Sequence, residues 1–337
     1  MPPQRATLLQ VAQRAGVSRS TASFVLTGRY KDMRISEDAR QRVLRAAQEL
    51  DYRPNLMARS LRTKVTKTVA LISDTIASDQ YAGRMIHGSL AAAVARGHLL
   101  FIGETEGDPV VEEKLISDFL DRQVDAFLYA SMFTRPIRVP KQLRDRKVVL
   151  LNCLNRGSFP VIIPDELSAG RDAARTLLEA GHRTGIYLVG HVPDQVFAGR
   201  ERLAGINEAL GAAEARLAGT IDCDWWPGSA YDAVSRALAD GLVPKALICL
   251  NDRVALGAYQ ALREAGVDIP GEVSVISFDD SELAAWLRPQ LTSISLPHYE
   301  LGWQAIETLL GDSTEPAVQR LPMPVRRRAS IGPPRGE

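Results

Sequence analysis

Two periodicities divide the chain. Through about residue 53 the apolar positions recur every three or four residues, the spacing of short amphipathic helices. Thr7-Leu-Leu-Gln10 has the form of a capping box, and Leu8, Val11, Ala12 and Ala15 then line one helical face. Gly16 follows where a chain leaves a helix through a left-handed conformation. Ser18 caps a second helix with Ala22, Val25 and Leu26 inward, ended by Gly28. A third runs from Ser36 through Val43, Ala46, Ala47 and Leu50.

From Lys67 onward the pattern changes to buried apolar runs alternating with amphipathic stretches. TVALISD, HLLFIGE, VDAFLYA and KVVLLNC read as strands of one unit; TGIYLVG, GTIDCDW, KALICLN and VSVISFDD read as strands of another. Helices at about 83–96, 168–180, 199–213, 229–240 and 253–265 fall between them. Such βα alternation predicts parallel sheets covered on both faces, here two doubly wound lobes, with ligands in the crevice beyond the strands' carboxyl ends. The predicted fold is α/β: a three-helix helix-turn-helix head, a hinge helix, then the two lobes. The boundaries are 1–53 for the head, 54–66 for the hinge and linker, and 67–333 for the lobes. Lobe one takes 67–162 and 297–324, lobe two 163–296 and 325–333.

Charge separates the same regions. Through Lys64 there are thirteen basic residues against five acidic, a net +8, so the remainder carries −7 of the total +1. A basic head on an acidic body points to a polyanion as the head's partner. The second helix presents Arg19, Ser20, Thr21, Ser23 and Phe24 along or near its outward side. A major groove about 12 Å wide admits one helix, where arginine and hydroxyl groups reach base edges or phosphates. No apolar run approaches the ~20 residues that span a bilayer, and MPPQRATLLQ lacks a secretory signal's apolar stretch. The cytoplasm is the expected location. Cys153, Cys223 and Cys249 have neither disulfide-framework nor metal-ligand spacing and sit in or beside apolar runs, as small buried hydrophobes do.

After the head comes DYRPNLMARSLR at 51–62, where Pro54 stops the third helix and Leu56, Met57 and Leu61 recur at helical spacing. VAQRAGVSRSTASFVLTG followed by YRPNLMARSLR resembles the lactose-repressor (LacI) family of bacterial transcription regulators, and the resemblance runs almost the full length. It implies a hinge that folds with a second copy on a pseudo-palindromic operator, a leucine of each copy wedging into the central minor-groove step. Leu61 would be that wedge and Ala58 the small residue of the close contact; an apolar wedge of this kind kinks a duplex. By the same resemblance Thr7, Ser18, Arg19, Ser20, Thr21, Ser23, Phe24, Asn55 and Arg59 are candidate DNA contacts. Family members commonly carry arginine where this chain has Phe24, so that ring either touches a thymine methyl or packs inward. RYKDMR also lengthens the link to the third helix by about three residues.

The resemblance extends to the crevice. Arg202 before LAG, Asn251-Asp252 before ALGA, and Asp279-Asp280 after a short strand match the family's effector-site motifs. These groups suit a polyol, whose hydroxyls donate to a carboxylate and accept from a guanidinium while an aromatic ring covers its apolar face. Asn251 and Asp279 read either as ligand contacts or as helix caps; Asp252 and Asp280 read by position as caps of the following helices. Tyr81, Asn152, Trp225 and His298 occupy matching places on the other walls. The five histidines lack metal spacing, and His98 and His182 each follow a glycine at a helix-to-strand turn.

No nucleophile elbow, Walker phosphate loop or dinucleotide fingerprint is present in the sequence. The chain therefore reads as a non-enzymatic, cofactor-free transcription regulator, a repressor acting as a homodimer on double-stranded operator DNA and controlled by a small effector, a sugar in the family's majority case. The alternative is a sugar-binding or sugar-processing α/β protein with an accessory basic module. After PVRRRASIGPP only a few residues follow, leaving no room for a tetramer-forming helix, so a dimer is expected.

Overall fold

In the computed structural model the described residues are 6–52, 65–77, 83–191, 196–312 and 315–334. They fall into two units, Met1–Thr66 and Lys67–Glu337.

The first unit holds α1 (Leu8–Ala15), α2 (Arg19–Leu26) and α3 (Glu37–Glu49). The capping box is formed: Gln10 N donates to Thr7 Oγ1 at 3.3 Å, and Thr7 N donates to Gln10 Oε1 at 2.8 Å. Gly16 is left-handed, with φ of 65°, which turns the chain into α2, where Thr21 N donates to Ser18 Oγ at 3.0 Å. Ser36 caps α3 through Ala39 N. Val11, Ala12, Ala15, Ala22, Val25, Val43 and Ala46 form the core. All seven side chains have no more than three carbons and four are alanine, so the helices approach closely and a small module needs no large core.

The second unit contains two six-stranded sheets among the described residues. The first comprises β1 (Thr68–Ser73), β2 (Leu99–Glu104), β3 (Ala126–Pro136), β4 (Val148–Leu154), β5 (Val161–Pro164) and β11 (Val318–Leu321), in the order β11-β5-β4-β3-β1-β2. The second comprises β6 (Ile186–Val189), β7 (Gly219–Ile221), β8 (Ala246–Cys249), β9 (Ser274–Asp279), β10 (Thr292–Ser295) and β12 (Val325–Arg326), in the order β12-β10-β9-β8-β6-β7. Neighbours are parallel except β10 and β12, which pair antiparallel through Ile294 and Val325. The chain passes from the first sheet to the second after Pro164, back between Ser295 and His298, and across again between Leu321 and Val325.

Helices α4 (Gly83–Ala95), α5 (Pro109–Asp121) and α11 (His298–Leu310) belong with the first sheet. With the second go α6 (Glu166–Glu179), α7 (Phe197–Ala212), α8 (Pro227–Ala239), α9 (Asp252–Glu264) and the short α10 (Glu282–Trp286). Each sheet carries an apolar cluster on both faces, as a doubly wound sheet must. The strands predicted from apolar runs are present, with one shortened: GTIDCDW keeps only Gly219–Ile221 in the ladder, because Asp222 and Asp224 face solvent at an edge strand. Four further strands complete the sheets. Of these, β10 (TSIS) and β11 (VQRL) lack an apolar run, and β12 has two residues.

Helices α6 and α7 cross with almost no gap. A Cβ added at Gly170 would lie 2.1 Å from Arg202 O, and one at Gly205 would lie 2.1 Å from Leu167 O. Glycine at both positions lets the backbones touch, and this crossing sets where Arg202 stands.

Candidate functional site

In the head, Arg19 and Ser20 are exposed on α2, and Thr21, Ser23 and Phe24 are half-buried on it. Thr7 and Ser18 are exposed, with their hydroxyls engaged as helix caps. Phe24 lies outside the head's apolar cluster, and the Arg29 guanidinium stands 5.6 Å above its ring. Among the described residues the ring is not packed into that cluster. Asn55, Ala58, Arg59 and Leu61 lie outside the described residues, as does Tyr81 of the crevice set.

In the second unit a cavity of about 210 Å³ opens between the two sheets at the carboxyl ends of their strands. Its lining brings together Asn152, Arg202, Trp225, Asn251, Asp279 and His298, which are up to 146 positions apart in the chain. Asn152 lies near the end of β4 with φ of 57°, a left-handed conformation that asparagine tolerates. Its Oδ1 accepts from Thr134 Oγ1 at 2.7 Å and its Nδ2 donates to Met132 O at 3.1 Å, so its orientation is fixed from within its own lobe.

Arg202 is the most constrained group. Its side chain keeps 3 % of its surface exposed, and its partner Glu166 keeps 2 %. Nε donates to Glu166 Oε2 at 2.6 Å, Nη2 to Glu166 Oε1 at 3.1 Å, and Nη1 to Leu250 O at 2.5 Å. The guanidinium carbon sits 4.5 Å from the Phe278 ring centroid and 5.7 Å from that of Trp225. Asp279 Oδ1 lies 3.8 Å from Nη2. Burial pushes the Asp279 carboxyl up to about 7; Arg202 opposes the shift, and the Asp252 and Glu166 carboxylates add to it.

Two positional readings need correction. Asn251, not Asp252, caps α9: Val254 N donates to its Oδ1 at 2.7 Å, while its Nδ2 is 3.5 Å from Trp225 O. Asp252 instead accepts from Ser293 Oγ at 2.7 Å and from Ser281 N and Oγ at 2.7 and 2.8 Å, and also from Ser277 Oγ. It binds β9, β10 and the start of α10 together. Asp280 does not cap α10 either; it pairs with Arg328 at 2.5 Å and with Arg326 at 3.7 Å. In both cases a hydroxyl or guanidinium from a distant segment outcompetes the local amide.

Comparison with known proteins follows the same division. Residues 7–55 match bacterial regulatory proteins of the lacI family, and residues 174–331 match the periplasmic binding protein-like domain. The HTH-type transcriptional regulator AscG of Escherichia coli K12 is 31% identical over 340 residues, covering 98% of this chain and 99% of its own. The ribose operon repressor of the same strain is 31% identical over 320 residues, covering 94% and 95%. The crystal structure of the Lac repressor dimer bound to operator and the anti-inducer ONPF superposes with a TM-score of 0.79 at 23% identity, over 98% of this chain and 100% of that one.

The chain belongs to the lacI family of bacterial regulatory proteins. It is a DNA-binding transcription regulator with a periplasmic-binding-protein-like body, and its relatives are regulators rather than enzymes. No helix among the described residues is long and apolar enough to cross a membrane.

In this lacI-family chain the sequence did not reveal Glu166, Thr134 or Met132. Glu166 stands in the first turn of α6, where a carboxylate is ordinary because it complements the helix dipole. The available signal was Gly170 and Gly205, which announce a close crossing of α6 and α7, but only a fold-level alignment of the two helices turns that into a Glu166–Arg202 contact.

Proposed function

We propose that the chain is a homodimeric, cytoplasmic transcriptional repressor whose operator affinity is set by a small polyol, a sugar, bound in the cavity between the lobes. The observation that carries this is the convergence of Arg202, Asn251, Asp279, Asn152, Trp225 and His298 on one cavity at the strands' carboxyl ends. Carboxylate, guanidinium, amides and an indole together suit vicinal hydroxyls and an apolar sugar face. The ribose operon repressor among its relatives supports a sugar as the effector class, and the Lac repressor dimer supports two copies on one operator.

The head acts through α2. Arg19, Ser20, Thr21, Ser23 and Phe24 read the major groove, with Thr7 and Ser18 near the phosphates. By the family resemblance Asn55, Ala58, Arg59 and Leu61 contact the minor groove, and Tyr81 completes the effector pocket. A ligand alters DNA affinity only through unequal affinity for two arrangements of the lobes. An inducing sugar favours the arrangement that lets the hinges separate.

The test is titration of the full chain against DNA from upstream of its own gene. A palindromic site is expected to bind about 10³-fold or more tighter than random DNA, with affinity falling steeply as salt rises, and a sugar is expected to release it. Leu61→Ala is expected to weaken operator binding and leave sugar affinity nearly unchanged. Equal binding to random DNA, or turnover of a sugar, would reject the reading.

A further inference from the structure

We infer that the cavity selects an uncharged polyol and rejects phosphorylated or acidic sugars, and that Glu166 is the residue that sets this selectivity. The inference rests on the effector reading above and narrows its ligand class.

An arginine has five N–H donors. In Arg202 two go to the Glu166 carboxylate and one to Leu250 O. The Glu166 carboxylate, itself part of the cavity lining, also cancels its charge at contact distance. What Arg202 still offers the cavity is at most two N–H donors and no net positive charge. That is enough for hydroxyl oxygens. A phosphate or carboxylate is held most strongly by an unpaired, bidentate cation.

The rest of the lining adds negative charge. Asp279 and Asp252 both reach the cavity wall. Against them stand Arg253, whose guanidinium stacks 4.6 Å from the Trp226 ring centroid, and the amino end of α7 beside Ala198, worth about half a charge. The amino end of α9 is already answered by the Asn251 cap and by Asp252 in its first turn. An incoming anion would therefore lose its hydration and, above about pH 7 where Asp279 is ionised, meet carboxylates at short range, where like charges repel strongly. A neutral polyol meets Asp279 as a hydrogen-bond acceptor, the Asp252 oxygens being taken by Ser277, Ser281 and Ser293.

The experiment is calorimetric titration of the full chain with D-ribose, D-glucose and D-galactose, and with ribose 5-phosphate, glucose 6-phosphate and D-galacturonate. At least one neutral sugar is expected to bind, and its anionic counterpart about 100-fold more weakly or not at all. Glu166→Gln is expected to shift the neutral-to-anionic affinity ratio by about tenfold or more towards the anion. Because removing a buried partner of Arg202 can unfold the lobe, Asp279→Asn is measured beside it. That variant is expected to lose affinity for the neutral sugar and to shift the ratio in the same direction. Tighter binding of an anion than of its parent by the wild-type chain, or an unchanged ratio in a folded Glu166→Gln or Asp279→Asn, overturns the selectivity while leaving the sugar pocket standing. Failure of all six compounds to bind rejects the sugar reading itself, and the selectivity with it.

Discussion

Arg320 of β11 and Phe197 of α7 meet across the two lobes, the guanidinium carbon 5.8 Å from the ring centroid. Arg320 Nη1 also donates to Glu201 Oε2 at 3.1 Å, and Phe197 packs on the first lobe's apolar cluster although its helix belongs to the second. Ala198, the next residue, lines the cavity. This contact therefore holds the two cavity walls in register from outside the cavity. Both charged side chains are partly exposed, so the tie is worth only about 1 kcal/mol. Arg320→Ala is expected to weaken sugar binding by roughly two- to fivefold with little change in melting temperature. Calorimetry with a sugar that the wild-type chain binds checks this; unchanged or tighter binding would mean that the tie plays no part in holding the walls.

Arg202→Ala removes more than a ligand contact. It leaves Glu166 buried and unpaired, which costs about 3–5 kcal/mol. The variant is expected to lose sugar binding and also to melt at a clearly lower temperature. Replacing both partners, Glu166→Gln with Arg202→Met, is expected to recover much of the stability and none of the binding. Thermal melts and sugar titrations of the three chains decide it. A single variant as stable as wild type would contradict the buried pair.

The division between what the sequence disclosed and what it hid follows the range of the interactions. Caps at Thr7, Ser18 and Ser36 are contacts three residues apart, so a spacing rule finds them. The parallel strands are buried on both faces and show as apolar runs, so the doubly wound lobes were legible too. Strand β10 was not, because Ser293 points at Asp252 rather than into an apolar layer, and its sequence reads as a polar loop. In the cavity, Arg202 and Asp279 were recognisable from local motifs. The pairing that governs Arg202 joins residues 36 apart on two helices, and no local pattern encodes it.

Phe24 tests the head. It lies outside the apolar cluster, and its aromatic contact is the Arg29 guanidinium, so Phe24→Ala is expected to leave head stability within about 1 kcal/mol of wild type. Operator affinity is expected to fall roughly fivefold, with discrimination relaxed at a thymine position. A denaturation curve and a set of single-base operator variants separate the two effects. A large stability loss would return the ring to a packing role.

Asp279 gives the folded chain a proton that the unfolded chain releases earlier. Its carboxyl titrates at about 7 when folded and at about 3.9 when unfolded. Between those values the folded state holds more protons, so this group's contribution to stability falls as pH rises from about 4 to about 7. Above 7 it is constant and unfavourable. Urea unfolding at pH 5 and pH 8 is expected to show a larger loss for wild type than for Asp279→Asn, whose amide does not titrate. Equal losses would mean that the carboxyl is ionised throughout.

A residue outside the cavity lining also sets its geometry. Gly170 on α6 faces Arg202 O on α7, and a Cβ there would sit 2.1 Å from that oxygen and 2.9 Å from its carbon. Both atoms are backbone within a helix, so neither can rotate away. Gly170→Ala must push the helices apart, and α7 carries Arg202 with it. The movement lengthens the Glu166–Arg202 bonds, now 2.6 and 3.1 Å, and displaces the guanidinium from Phe278 and Trp225. Overpacking of this kind costs about 1–3 kcal/mol, and misplacing a polar group by about 1 Å lowers binding further. The variant is expected to melt lower and to bind sugar at least about tenfold more weakly, while Gly228→Ala, where a Cβ meets nothing within 4 Å, changes neither. Sugar titration of both variants checks it. If Gly170→Ala binds like wild type, the close crossing of α6 and α7 does not position Arg202, and the cavity must be held by the strands alone.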